Sequence, residues 1–301
     1  MQNFDNKSYS DLVADLLNDA LYVDGRSNRG VISTIRQYAE VIVRRILDLP
    51  ANKRMMLGDE AVKSGLSSAS RGNDSLSLAI EKIRNMGNKC AHTQELGPIT
   101  DDDVKQTFDA LFDMYAYLFV EFFTKHKFGC HEEIVSAFSI LPPIIRYKAL
   151  KELNHLDPHN ISVIDKYSLA ILKAFDFAHA QKWIDDQKES LIEIPAFTEK
   201  GIEEIKNKYG AAVARDVMSD APNMFDCCMD RLTQVASTLE KNGLLYNDFE
   251  SAMDLFKRKG RIQESSIEAD EFNSLMDFCY LGRKPKPNDK LDAISKYLSF
   301  I

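Results

Sequence analysis

Arg84, Asn88 and His92 stand at successive i, i+4 and i+8 positions in the stretch SLSLAIEKIRNMGNKCAH (75–92). An arginine is a permanent cation suited to phosphate oxygens. A histidine moves protons near neutral pH, and an asparagine can orient either one or hold a substrate hydroxyl. Together these types suit cleavage of RNA without metal. A base takes the proton of the 2′-hydroxyl, the oxygen attacks the neighbouring phosphate, and a cation stabilises the charge that develops there. An upstream line, Arg36, Glu40 and Arg44, has the same spacing and offers a carboxylate and more cations. With Lys89, these three are the candidate substrate-binding residues; Arg84, Asn88 and His92 are the candidate catalytic ones.

The helix that carries them is read from its apolar positions. Leu76, Ala79, Ile83, Met86 and Cys90 recur three or four apart and form one stripe. At about 100° per residue the polar line is centred roughly 160° from the middle of that stripe. It is therefore expected to face solvent, another element or a second subunit. Gly87 lies between, as a place for close helix packing.

Other chemistries find less support. Cys90 and His92 are two apart on a helix, so they point to nearly opposite sides and make no dyad. Cys130-His131 and Cys227-Cys228 lack a third group. There is no CxxC pair, so no structural zinc is expected, and no glycine-rich loop for a nucleotide. No cofactor is implied.

The surrounding pattern is helical nearly throughout, because apolar residues recur at three and four rather than two. The predicted helices of the first part run over about 8–22, 31–48, 76–92 and 99–123. SGLSSASRGNDS (64–75) reads as a loop. Thr100 to Asp103 place a cap and acidic residues at the positive end of the last helix. Phe108, Phe112, Tyr115, Phe119 and Phe122 read as bundle core rather than as a ligand box. Residues 1–128 are thus expected to form a helical bundle, and 129–301 a second helical domain.

Within the second part, 141–184 resembles one tetratricopeptide unit: Ala149, Leu150 and Leu153, then LDPHN (156–160), Leu169-Ala170, and Ala180 with Trp183-Ile184. A single unit is not a solenoid. Further helices are predicted at about 198–219, 223–242, 247–258 and 268–281. Lys257, Arg258, Lys259 and Arg261 form a basic cluster. GRKPKPNDK (282–290) reads as a polar linker to a last short helix at 290–300.

The bulk numbers fit a folded chain of 301 residues, 45% hydrophobic and 28% charged. A net charge of −8 argues against generic coating of nucleic acid, so any such contact needs a local basic patch. No run of 18 or more apolar residues suggests a membrane span. The start lacks the basic-then-apolar order of a secretory signal. Five scattered cysteines do not make a disulfide framework. The expectation is a cytoplasmic protein.

IRNMGNKCAH (83–92), following IRQYAEVIVRRIL (35–47), resembles the helical domain at the N-terminus of many type I restriction subunits. Arg36, Glu40, Arg84, Gly87, Asn88, Ala91 and His92 match its pattern, which ends in R-x-x-G-N-x-x-A-H. That domain is similar to the wider HEPN group. The likeness covers roughly 10–125. It implies an all-α HEPN-like bundle, a metal-independent ribonuclease of antiviral defence or toxin systems, and an active site shared across a homodimer. It leaves open a non-catalytic binding or adaptor module in a defence or restriction system. The group's motif sets its arginine and histidine closer together than the seven residues between Arg84 and His92 here. A protein partner through the second part is the other expectation.

Overall fold

The computed structural model describes residues 3–70, 74–92, 96–197 and 199–287, and not the side chains of 199 and 200. Among these residues the protein is all helix, without a strand; one isolated bridge joins Pro195 and Asn223. The predicted last helix at 290–300 lies outside the described residues.

The first part contains α1 (Ser10–Leu17), α2 (Asn28–Ile46), α3 (Glu60–Ser70), α4 (Asp74–Ala91) and α5 (Asp101–His126). A π-helical turn, Asn18–Tyr22, extends α1. The second part contains α6 (Glu132–Phe138), α7 (Pro143–Leu156), α8 (Ile161–Ala174), α9 (Phe177–Asp186), α10 (Lys188–Ile192), α11 (Glu199–Tyr209), α12 (Ala211–Ser219), α13 (Met224–Asn242), α14 (Phe249–Lys259) and α15 (Ile267–Tyr280).

The expected loop over 64–75 is mostly helix: α3 covers its first seven residues, and 71–73 are outside the described set. Serine and glycine are weak helix formers. Val62 and Leu66, four apart, are buried all the same, and that burial carries the helix.

Caps mark the helix starts. Ser27 accepts from the Gly30 amide at α2, and Asn160 from the Ser162 and Val163 amides at α8. At α5, the Thr100 hydroxyl accepts from the Asp103 amide at 3.2 Å, and the Asp103 carboxylate accepts from the Thr100 amide at 2.8 Å. This reciprocal pair satisfies two amides that the helix itself cannot. Thr100→Ala is expected to cost about 1 kcal/mol in urea unfolding; an unchanged midpoint would show that the cap carries no weight.

α5 is the central helix. Tyr115 and Phe119 are fully buried and Phe122 nearly so, as the aromatic stripe predicted. Phe119 meets Phe138 of α6 and Phe272 of α15 at ring separations of 5.6 and 5.9 Å, and Phe122 meets Phe272 at 5.1 Å. Phe108 and Phe112 are partly buried and line a cavity of about 160 Å³ with Leu17, Ile35 and Arg283. The turn at 128 does not interrupt the core: one buried cluster runs from Phe4 to Tyr280.

Two arginines tie distant segments together. Arg45 of α2, 2% exposed, donates to the Ser274 hydroxyl of α15 at 2.9 Å and lies against Phe4 and Phe278. Arg283 follows α15, in the stretch expected to be a solvated linker. It is instead buried, with Glu250 at 2.9 Å and the Tyr115 hydroxyl at 3.0 Å. Partners from α5 and α14 make that burial tolerable, and no local pattern reveals them.

The repeat-like region forms an antiparallel hairpin, α7 and α8, followed by α9. Tyr147 stacks on Tyr167 at 5.9 Å, and Tyr167 meets Trp183 edge-on at 4.8 Å.

Candidate functional site

α2 and α4 pack side by side, and Gly87 sets how closely. A Cβ on Gly87 would stand 2.2 Å from Cδ of Arg36, 2.8 Å from its Cβ and 2.9 Å from its Cγ. The aliphatic stem of Arg36 therefore lies directly on the α4 backbone, a place only glycine leaves open. Arg84 is one turn before Gly87 and Asn88 is next to it, so residues from both sequence lines meet at this contact.

The polar line on α4 sits differently from its expected place. The buried positions are Leu76, Ala79, Ile80, Ile83 and Gly87, whereas Met86 and Cys90 are only half-buried. Ile80 and Gly87 turn the buried face toward Arg84. By helical geometry Arg84 lies about 80° from its centre, Asn88 about 120° and His92 about 160°. The line thus peels away from the core. Arg84 and Asn88 are half-buried, and His92 is exposed just beyond the last residue of α4. The His92 amide closes the final turn on the Asn88 carbonyl at 3.1 Å.

Two guanidiniums are incompletely satisfied. The Nε atoms of Arg36 and Arg84 are both buried and have no hydrogen-bond partner. A buried N–H without an acceptor costs about 1–3 kcal/mol, so both offer donors to an incoming acceptor. Arg84 otherwise turns along its own helix, 3.6 Å from a Glu81 carboxylate oxygen and 3.5 Å from the Asn85 side-chain amide oxygen Oδ1. Glu40 is half-buried, one turn after Arg36. Burial pushes its carboxyl up from the ordinary value, with Arg36 and Arg44 opposing that rise. Arg44 is committed elsewhere: its Nη1 donates to the Lys53 carbonyl at 2.7 Å and holds the turn after α2.

Lys89 is exposed, and its carbonyl accepts from Arg29 Nη1 at 2.8 Å, while Arg29 Nη2 donates to the Gly97 carbonyl at 2.9 Å. Arg29 thus clamps the C-terminal end of α4 and the chain that follows it, where the helix dipole favours a cation. Arg29 stands apart from both sequence lines. Its separation of seven residues from Arg36, two turns along the same side of α2, is the signal that points to it.

Cys90 is half-buried, and burial pushes its thiol up, so it is a poor nucleophile. Among the described residues no group of three or more His, Cys, Asp or Glu is placed to hold a metal ion, and no helix is long and apolar enough to cross a membrane. Comparison with family models, curated proteins and solved structures gives no match for this chain.

Proposed function

We propose that this protein is a HEPN-like, metal-independent ribonuclease, active at a homodimer interface in antiviral defence or as a toxin. The observation that carries the reading is the contact of Arg36 with Gly87, beside Arg84 and Asn88, with two buried Nε–H groups unspent. Arg84 and Arg36 bind the scissile phosphate, Asn88 orients the ribose, and Glu40 steadies the cations. His92 of one copy takes the 2′-hydroxyl proton. The 2′-oxygen then bonds to phosphorus, the bond to the 5′-oxygen breaks, and a proton from the second copy's histidine neutralises the leaving oxygen. The exposure of His92 supports a site completed by another chain.

The test is incubation of the purified protein with RNA in EDTA. Wild type is expected to cut. His92→Ala is expected to fall by about 10²–10⁴, and Arg84→Ala to fall comparably, with circular dichroism unchanged. No cleavage by wild type, or equal cleavage by the variants, overturns the reading.

A second reading is a non-catalytic HEPN-like module that joins proteins in a defence or restriction system. The turn of Arg84 toward Glu81 favours it, because that cation is then partly neutralised within its own helix. In that case His92→Ala changes the mass seen by light scattering and there is no chemistry to lose.

A further inference from the structure

Away from this site, four cations gather where α7, α8 and α13 meet: Arg146, Lys166, Lys173 and Arg231. Lys166 and Lys173 are seven residues apart on α8, so they share one side of it, about 10 Å apart along the axis. Arg146 is near the start of α7, opposite the end of α8 in the antiparallel hairpin. Arg231 comes from α13. Among the described residues, the nearby carboxylates include Asp165, 3.0 Å from Arg231, and Glu132, close enough to favour the charge on Lys166.

Their charges conflict. Arg146, Lys166 and Arg231 each repel the Lys173 ammonium; with burial as the larger cause, they bring it down to about 7. Lys166 is lowered by burial and by Arg231 and Arg146, against the pull of Asp165 and Glu132. Arg146 is only 8% exposed, its Nε has no partner, and its electrostatic neighbours besides these cations are the hydroxyls of Tyr246 and Tyr280. A chain of net charge −8 is under no general pressure to bury cations together. Such an arrangement costs stability unless an anion relieves it.

We propose that this junction binds a chain of linked phosphates, held by Arg146, Lys166, Lys173 and Arg231. Four cationic side chains from three helices carry more N–H donors than the oxygens of one phosphate accept, whereas linked phosphates offer more oxygens. Their oxygens also accept the unspent Nε–H of Arg146, and charge-assisted bonds of this kind are the strong ones. The linked phosphates belong either to a nucleoside triphosphate or to an inorganic polyphosphate.

Isothermal titration calorimetry of the full chain with inorganic tripolyphosphate, ATP, orthophosphate and a single-stranded RNA oligonucleotide tests this. Tripolyphosphate is expected to bind one to one and at least about tenfold tighter than orthophosphate, a gap of about 1.4 kcal/mol. Lys166→Gln/Lys173→Gln, which alters two half-buried side chains and leaves Arg146 in place, is expected to weaken it by about tenfold or more. Lys257→Gln, on α14, leaves it unchanged. ATP binding well above tripolyphosphate assigns the nucleoside form, and equal binding assigns the inorganic chain; either supports the site. No binding of tripolyphosphate overturns the proposal. So does affinity equal to orthophosphate, indifference to the double variant in a protein whose circular dichroism is unchanged, or equal dependence of RNA binding on the same lysines.

Discussion

Replacing Arg283 with methionine is expected to lower the unfolding free energy by about 3–5 kcal/mol, the cost of leaving one member of a buried ion pair alone. Arg283 donates through Nε to the Cys279 carbonyl at 3.1 Å, through Nη1 to Glu250 at 2.9 Å and through Nη2 to the Tyr115 hydroxyl at 3.0 Å. Its guanidinium also lies 3.8 Å from the centre of the Phe249 ring. Burial works against the cation, but Tyr115, Glu250 and Tyr38 more than offset it and hold its pKa above the ordinary arginine value. Methionine fills much of the space and removes every donor. Among the described residues, Glu250, whose side chain is 19% exposed, then keeps only the Tyr22 hydroxyl at 2.7 Å as a side-chain partner. Adding Glu250→Gln to Arg283→Met is expected to return most of the loss, because the cost lies in the stranded carboxylate. Urea titrations of wild type, both single variants and the double variant measure this. A loss under about 1 kcal/mol for Arg283→Met would place the pair among the weak surface bridges instead.

Gly87→Ala is expected to cost about 1–3 kcal/mol, the range for overfilling a packed contact. Most substitutions of helical glycine by alanine are favourable by up to about 1 kcal/mol, so the sign itself is diagnostic. The added methyl meets the Arg36 stem from Cβ to Cδ, the near end of that side chain as well as its middle, and a rotamer change alone does not clear it. α2 and α4 must separate, or Arg36 must leave the seam. In the second case the proposed RNA cleavage is expected to fall although His92 is untouched. Arg36→Ala in the Gly87→Ala background is expected to restore part of the stability, since the Arg36 Cβ at 2.8 Å remains. Additive losses in that double-mutant cycle would mean that the two residues do not press on each other.

How much of this was legible follows from how local each signal is. The α5 core stripe and its Thr100–Asp103 cap could be read because their causes lie within one helix. The α4 stripe is legible but at the wrong angle, because the spacing through Ala79, Ile83, Met86 and Cys90 passes over Ile80, and Gly87 has no side chain to register as buried. Whether a glycine faces a partner depends on that partner, here Arg36, 51 residues earlier in the sequence. α3 was hidden by serines whose local preference was overridden by the burial of Val62 and Leu66. The Arg146–Lys173 cluster spreads over three helices, so no window of sequence contains it. The visible basic run at 257–261 is more ordinary: Arg261 pairs with Asp277 at 3.0 Å, and Lys257 and Lys259 are exposed near the C-terminal end of α14.

The tie between Tyr22, Glu250 and Arg283 also bears on how the chain is made. Tyr22 sits 228 residues before its acceptor Glu250, and its hydroxyl accepts from the Lys284 amide 262 residues later. Synthesis proceeds from the N-terminus, so α1, α2 and α5 leave the ribosome long before the segment that covers Tyr115 exists. Until then their apolar faces stand open to water and to other chains. The last helices act as a closing latch on the first, and contacts this distant in sequence form slowly. A cell producing this protein therefore holds an unlatched chain until the segment that follows α15 emerges, a state suited to chaperone binding and vulnerable to proteolysis.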